Sequence, residues 1–180
     1  MTHPSPSASW PIGWPNHRTS AFRLWSFCEV NIMEVQPDFK ELLALLNEHK
    51  VEYLIVGAYA LAFHGAPRYT GDLDILVKAD KQNAERILAA LADFGFADLD
   101  LKPADFQAPE MVIQLGVAPV RVDIITSLTG VDWDEAYSGR AQGRYDDVGV
   151  DYLGREQFIA NKKATGRKRD LADLEALGEE

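Results

Sequence analysis

Cysteine is nearly missing from this sequence: Cys28 is the only one in 180 residues, so the chain cannot close a disulfide on itself. The histidines, His3, His17, His49 and His64, are too scattered with that one thiol to form a structural zinc site. No run approaches the roughly 18 apolar residues that a membrane-spanning helix needs. Nor does a basic stretch lead into an unbroken apolar one, as in a secretory signal. Positive charge is in short supply, with 18 Lys and Arg against 28 Asp and Glu, a net charge of −10. That balance argues against a general DNA or RNA coat, whose affinity comes from neutralising phosphates. No internal repeat is visible. What is present is ordinary globular composition, 47% apolar and 26% charged. A chain of this length can bury roughly 70% of its unfolded surface without staples. The expectation is a soluble, reduced, cytoplasmic protein with a single folded domain.

The charge is unevenly spread. Residues 1–32 balance at +1, residues 33–153 at −11, and residues 154–180 hold six charges of each sign. Five of those six basic residues fall between Lys162 and Arg169 with no acid among them. Such a run is either a solvated helix end or a surface that holds something anionic beside an acidic body.

Residues 1–32 carry Pro4, Pro6, Pro11 and Pro15, a Ser-rich start and no sustained apolar period. They read as a poorly structured extension, with the domain over 33–180. Trp10, Trp14 and Trp25 are unusual for a linker: they pack on the body or a partner, or the segment is non-native sequence translated upstream of Met33. From Met33 the pattern sharpens. Phe39, Leu42, Leu43 and Leu46 at helical spacing after Pro37 and Asp38 predict a helix. Strands are expected over 53–56, 72–77, 111–115, 120–125 and 150–153. Further helices are expected over 58–64, from Asp80 to Gly95, over 133–137, 155–165 and 170–177. This order predicts an α+β (α/β-like) domain, a small mixed β-sheet with helices packed on it.

Chemistry concentrates in Asp72-Leu73-Asp74-Ile75-Leu76-Val77. Alternation along a strand puts Asp72 and Asp74 on one face and Leu73, Ile75 and Val77 on the other. Neighbouring carboxylates repel unless a cation sits between them. Asp123 sets a third carboxylate on another apolar strand, and three converging carboxylates suit Mg²⁺. The alternative is an accidental D-x-D in an acidic protein. Upstream, Gly57-Ala58 falls at a strand-to-helix turn able to hold a phosphate through backbone N–H groups. Thirteen residues separate it from Asp72.

Together, Val56-Gly57-Ala58, Asp72-Leu73-Asp74-Ile75 and Asp123 resemble the nucleotidyltransferases of the DNA polymerase beta superfamily. Their signature is a hydrophobic residue, Gly, Gly or Ser, a spacer of roughly ten residues, then acid–hydrophobic–acid. The resemblance is nearest to small bacterial nucleotidyltransferase-like proteins, some of which act in toxin–antitoxin and phage-defence pairs. It runs from about Met33 to Leu177 and includes His64-Gly65-Ala66-Pro67-Arg68, Gln114-Leu115-Gly116, Arg121-Val122-Asp123 and Gly166-Arg167-Lys168-Arg169-Asp170-Leu171-Ala172-Asp173. Ala58 departs from it by removing a hydroxyl that could touch phosphate.

The resemblance implies the nucleotidyltransferase fold with C-terminal helices, Mg²⁺, and an NTP such as ATP as co-substrate. Asp72, Asp74 and Asp123 are then the catalytic and metal residues, and Gly57, Ala58, Lys162 and Arg167 position the triphosphate. Arg68 and Thr70 either touch phosphate or fix the turn. Asp170 and Asp173 read as a helix cap and its first-turn charge, and His64 as a packing residue. The acceptor hydroxyl, on RNA, protein or a small molecule, is left open. The rival is a degenerate nucleotide-binding or partner-binding module of a toxin–antitoxin type system.

Overall fold

The structure is a computed structural model that describes residues 35–117 and 120–179. The proposed extension over 1–32, with its three tryptophans, lies outside the described residues. Helix α1 (Pro37–Glu48) has Pro37 in its first turn, where the missing N–H is no loss. It buries Phe39, Leu42, Leu43 and Leu46, the stripe its spacing predicts. Strand β1 (Tyr53–Ile55) is fully buried and leads through Val56 into α2 (Gly57–Phe63). Strand β2 (Asp72–Val77) returns antiparallel to β1, with Ile55 opposite Ile75. The buried Asn83 side chain ties that pair together. Its carbonyl accepts from the Glu52 N–H (2.8 Å), and its amide donates to the Glu52 and Lys78 carbonyls (both 3.0 Å). Asn83 belongs to α3 (Lys81–Leu91), which Asp80 caps by accepting from the Asn83 N–H.

Strands β3 (Val112–Val117) and β4 (Val120–Ile125) pair antiparallel, and β4 then lies parallel to β2. After α4 (Trp133–Ser138) comes the hairpin of β5 (Ala141–Tyr145) and β6 (Val148–Tyr152). Strand β6 runs parallel to β1, completing a six-stranded mixed sheet in the order β3-β4-β2-β1-β6-β5. Helices α5 (Arg155–Thr165) and α6 (Lys168–Ala176) close the described chain, hinged at Gly166, whose φ of +60° is a left-handed conformation suited to glycine.

Besides the short 3-10 turn over Pro103–Phe106, strand β5 is the element that the sequence pattern does not predict. Its Ala-Gln-Gly-Arg-Tyr run buries only Tyr145, because β5 is a sheet edge supported from one side. Gly143 is needed there, since a β-carbon would meet the rings of Phe63 (2.6 Å) and Tyr152 (2.8 Å). Those two rings stack at 4.3 Å. The remaining elements fall within a few residues of expectation, and no described helix is long and apolar enough to cross a membrane.

Candidate active site

The site is assembled by sheet register. Parallel pairing sets Asp72 beside Arg121 and Asp74 beside Asp123, and antiparallel β3 brings Gln114 opposite Asp123. Leu73, Ile75, Val122 and Ile124 are buried, so the alternate residues Asp72, Asp74, Arg121 and Asp123 are left to share the opposite face. The expected convergence of the three aspartates on neighbouring strands is therefore present, with an arginine among them.

Each carboxylate has different surroundings. Asp72 accepts a short hydrogen bond from the Thr70 hydroxyl and one of 2.6 Å from Arg121 Nη2. Asp123, 8% exposed, accepts from the same Nη2 at 3.1 Å, with Arg121 Nε in ionic contact at 2.9 Å. Gln114 Nε2 lies 3.5 Å from Asp123. Among the described residues no hydrogen bond or ion pair reaches the Asp74 side chain. Burial, then the charges of Asp72 and Asp123, push its carboxyl up to about 6, against the opposing fields of Lys162 and Arg121.

Gly57 explains how the backbone comes so near. Its φ is +60°, and a β-carbon there would run into the Asp74 carboxylate. The Val56 N–H donates to the Asp74 carbonyl at 3.0 Å, locking the turn against β2. The Ala58 side chain is buried, so this residue can offer a ligand only its backbone.

Across from the carboxylates, α5 and α6 contribute the far wall of a cleft of about 320 Å³ whose lining includes Gly57, Asp74, Asp123, Asn161, Lys162, Thr165 and Arg167. That volume is at the lower end of small-ligand pockets. The Lys162 ammonium is not idle: it sits 2.6 Å from Asp170 and 3.0 Å from Asp173. Burial acts to raise both of these carboxyls, but Lys162 and Thr165 on Asp170, and Arg68 and Lys162 on Asp173, outweigh it and hold them low.

Arg68 does not reach the cleft lining. It forks onto Asp173, Nε at 2.8 Å and Nη2 at 3.3 Å, and Thr70 is spent on Asp72, so both act as fixing groups in this structure. The helix begins two residues earlier than expected, with Arg167 at the cap position. Asp170 is therefore its third residue, accepting from the Arg167 N–H at 3.3 Å, and Asp173 falls in the second turn; both also form the counter-charge for Lys162. His64 packs as expected, its Nε2 2.8 Å from the Leu153 carbonyl.

Sequence reading missed the full part played by Arg121 and by Asp170 and Asp173. The signal for Arg121 was available: it sits two residues before Asp123 on the same strand face. For a hard divalent cation the donor chemistry fits, since carboxylate oxygens share one face and one carboxylate lacks a partner. The set is not pre-arranged, however. Among the described residues no group of three or more Asp, Glu, His or Cys side chains is set to hold a metal ion. The Arg121 guanidinium bridges the two carboxylates that an ion would share.

With this geometry in hand, comparison with known proteins is informative. The family model described as aminoglycoside-2''-adenylyltransferase matches residues 38–145, well over half of the chain. The chain belongs to that family. The matched span contains Gly57, Asp72, Asp74, Arg121 and Asp123, and stops before Lys162 and Arg167. No curated protein matches by sequence.

Three solved structures share the fold. The lincosamide antibiotic adenylyltransferase LnuA, solved with lincomycin bound, is 16% identical with a TM-score of 0.53, covering 78% of this chain and 94% of its own. A Thermotoga maritima protein assigned as a nucleotidyltransferase is 16% identical with a TM-score of 0.51, covering 79% and 93%. The antibiotic-resistance factor ANT(2'')-Ia is 13% identical with a TM-score of 0.50, covering 78% and 80%. The nucleotidyltransferase resemblance and the α+β fold read from the sequence are both borne out.

Proposed function

We propose that this protein is a Mg²⁺-dependent enzyme that moves a nucleoside monophosphate from an NTP, ATP first among them, to an acceptor hydroxyl. The observation that carries this reading is Asp74: a half-buried carboxylate that no protein group pairs, beside Asp123, under the Gly57 backbone, and in one cleft with Lys162 and Arg167. A carboxylate partly withdrawn from water beside two others of like charge is costly unless a cation joins it. Asp72, Asp74 and Asp123 would hold the ion, which supplies charge stabilisation for the attacking and leaving oxygens of an in-line displacement. Asp123 takes the acceptor proton. Gly57 and the Ala58 backbone, with Lys162 and Arg167, orient the triphosphate. The acceptor oxygen bonds to the α-phosphorus, the bond to the β-phosphate bridging oxygen breaks, and pyrophosphate leaves.

The first acceptor class to examine is the aminoglycosides. The matching family is named for their adenylylation, and the balance of −11 over residues 33–153 attracts a polycation. RNA and protein hydroxyls are the other acceptors. The test is pyrophosphate release with each NTP and Mg²⁺ against an aminoglycoside panel, RNA and a cell extract. Release that requires both NTP and one acceptor, and is lost in Asp74→Asn, supports the reading.

One observation favours a second reading. Arg121 pairs with both Asp72 and Asp123 without any metal, as a degenerate nucleotide- or partner-binding module of a toxin–antitoxin type pair would permit. Its signature is nucleotide binding that Asp74→Asn leaves intact, with no pyrophosphate release.

A further inference from the structure

The arginine among the aspartates has no place in the transfer reaction as set out, yet its Nη2 donates to both flanking carboxylates while its Nε makes a close charge contact without hydrogen-bond geometry. Its Nη2 is 2.6 Å from Asp72 and 3.1 Å from Asp123, and its Nε is 2.9 Å from the second Asp123 oxygen. The planar fork thus reaches both carboxylates that flank Asp74 in the register. The arginine side chain is about one-third exposed although its Nε is buried, so the side chain as a whole is not sealed into the core. Asp72 is similarly exposed, whereas Asp123 is mostly covered.

A guanidinium brings one positive charge and a divalent ion brings two, and both bind carboxylate oxygens. They cannot bridge the same pair of oxygens at once. We propose that Arg121 is a resident counter-ion of this site: it holds Asp72 and Asp123 together in the resting protein, and a divalent cation enters only by displacing it. The inference rests on the metal-dependent reading above. It assigns Arg121 as a positioning residue that keeps the carboxylates from repelling one another and sets how tightly the ion binds. It also accounts for the missing ready-made ligand cluster, because the guanidinium stands between Asp72 and Asp123 where an ion would go.

Mn²⁺ titration of the full chain by calorimetry, without nucleotide, tests this. Wild type, Asp74→Asn, Arg121→Ala and Arg121→Lys are compared. Removing a competing cation predicts at least tenfold tighter Mn²⁺ binding in Arg121→Ala. It predicts a smaller gain in Arg121→Lys, which keeps the charge but cannot fork. Electrostatics at a distance would give part of that gain, so a second measurement isolates displacement. Millimolar methylguanidinium should compete with Mn²⁺ in Arg121→Ala, raising the apparent dissociation constant in proportion to its concentration. Methylammonium at the same concentration should do so less, and wild type should respond to neither.

If wild type binds Mn²⁺ and Asp74→Asn does not, the metal reading holds. The inference is then overturned should Arg121→Ala bind no tighter, or should methylguanidinium leave it unchanged. If Arg121→Ala fails to fold, Arg121→Lys binding no tighter than wild type overturns it. If neither wild type nor any variant binds Mn²⁺, the metal reading falls and takes the inference with it.

Discussion

Replacing Asp74 with Asn should stabilise the metal-free protein, contrary to the usual effect of altering a half-buried polar residue. The Asp74 carboxyl is raised from its ordinary 3.8 to about 6 by burial and by Asp72 and Asp123. The folded state therefore binds that proton more tightly than the unfolded chain does. Its contribution to stability falls as pH rises from about 4 to about 6 and is flat above, because the group is then ionised in both states. Two pH units correspond to about 3 kcal/mol as an upper bound, at about 1.4 kcal/mol per unit. The Asn variant keeps the shape and carries no charge, so in EDTA at pH 8 its melting temperature should rise by up to about 10 °C. The two proteins should converge near pH 4. Urea or thermal melts in EDTA across pH 4–8 provide the assay. A variant that is less stable at pH 8, or that keeps the wild-type slope between pH 4 and 6, would refute the reasoning and make Asp74 a structural partner.

Other consequences are open to measurement. Lys162→Met leaves Asp170 and Asp173 without their shared ammonium, and should cost about 3–5 kcal/mol in urea unfolding; a loss below 1 kcal/mol would show that Arg68 and Thr165 suffice. Asp170 and Asp173 are held below the ordinary carboxylate range, so their contribution is present above about pH 4 and lost as pH falls through the lowered values, the opposite sign to Asp74. Acid melts of Asp173→Asn should lack part of that low-pH limb. Gly57→Ala meets both a left-handed backbone and the Asp74 carboxylate; it should lose more than the 1–2 kcal/mol of the backbone term alone, with the excess recovered in an Asp74→Gly background. A chain shortened to begin at Met33 should keep the full chain's urea midpoint, because buried periodic residues begin at Phe39; a large drop would place the tryptophans in the core.

Local periodicity carried the fold a long way. The stripe of α1, the Asp80 cap of α3 and the alternation of β2 and β4 each lie in a short window, where side-chain direction follows from backbone geometry. The same alternation put Asp72, Asp74 and Asp123 on a common face. Strand β5 was hidden because its inward positions Ala141 and Gly143 are too small to stand out as an apolar face, leaving Tyr145 alone as a buried signal. The ion pairs were hidden for a different reason. Arg68 and Asp173 stand 105 residues apart in sequence, as do many partners that only tertiary structure joins. Asp170 sits in the first turn of α6 and Asp173 in the second, and their shared duty appears only when α6 folds back on Lys162. Arg121 was legible as a residue on the right face but not as a cation in the middle of the site, since register sets it beside Asp72.

Label transfer from ATP tests the central claim most directly. Protein, Mg²⁺ and an acceptor mixture of aminoglycosides and cell extract are incubated with ATP labelled at either the α- or the γ-phosphate. The account predicts acceptor-bound label from α-labelled ATP only, pyrophosphate from the γ-labelled form, and neither with Asp74→Asn or in EDTA. Acceptor labelling from the γ-phosphate, or α-label transfer that persists at the wild-type rate in Asp74→Asn, would contradict it.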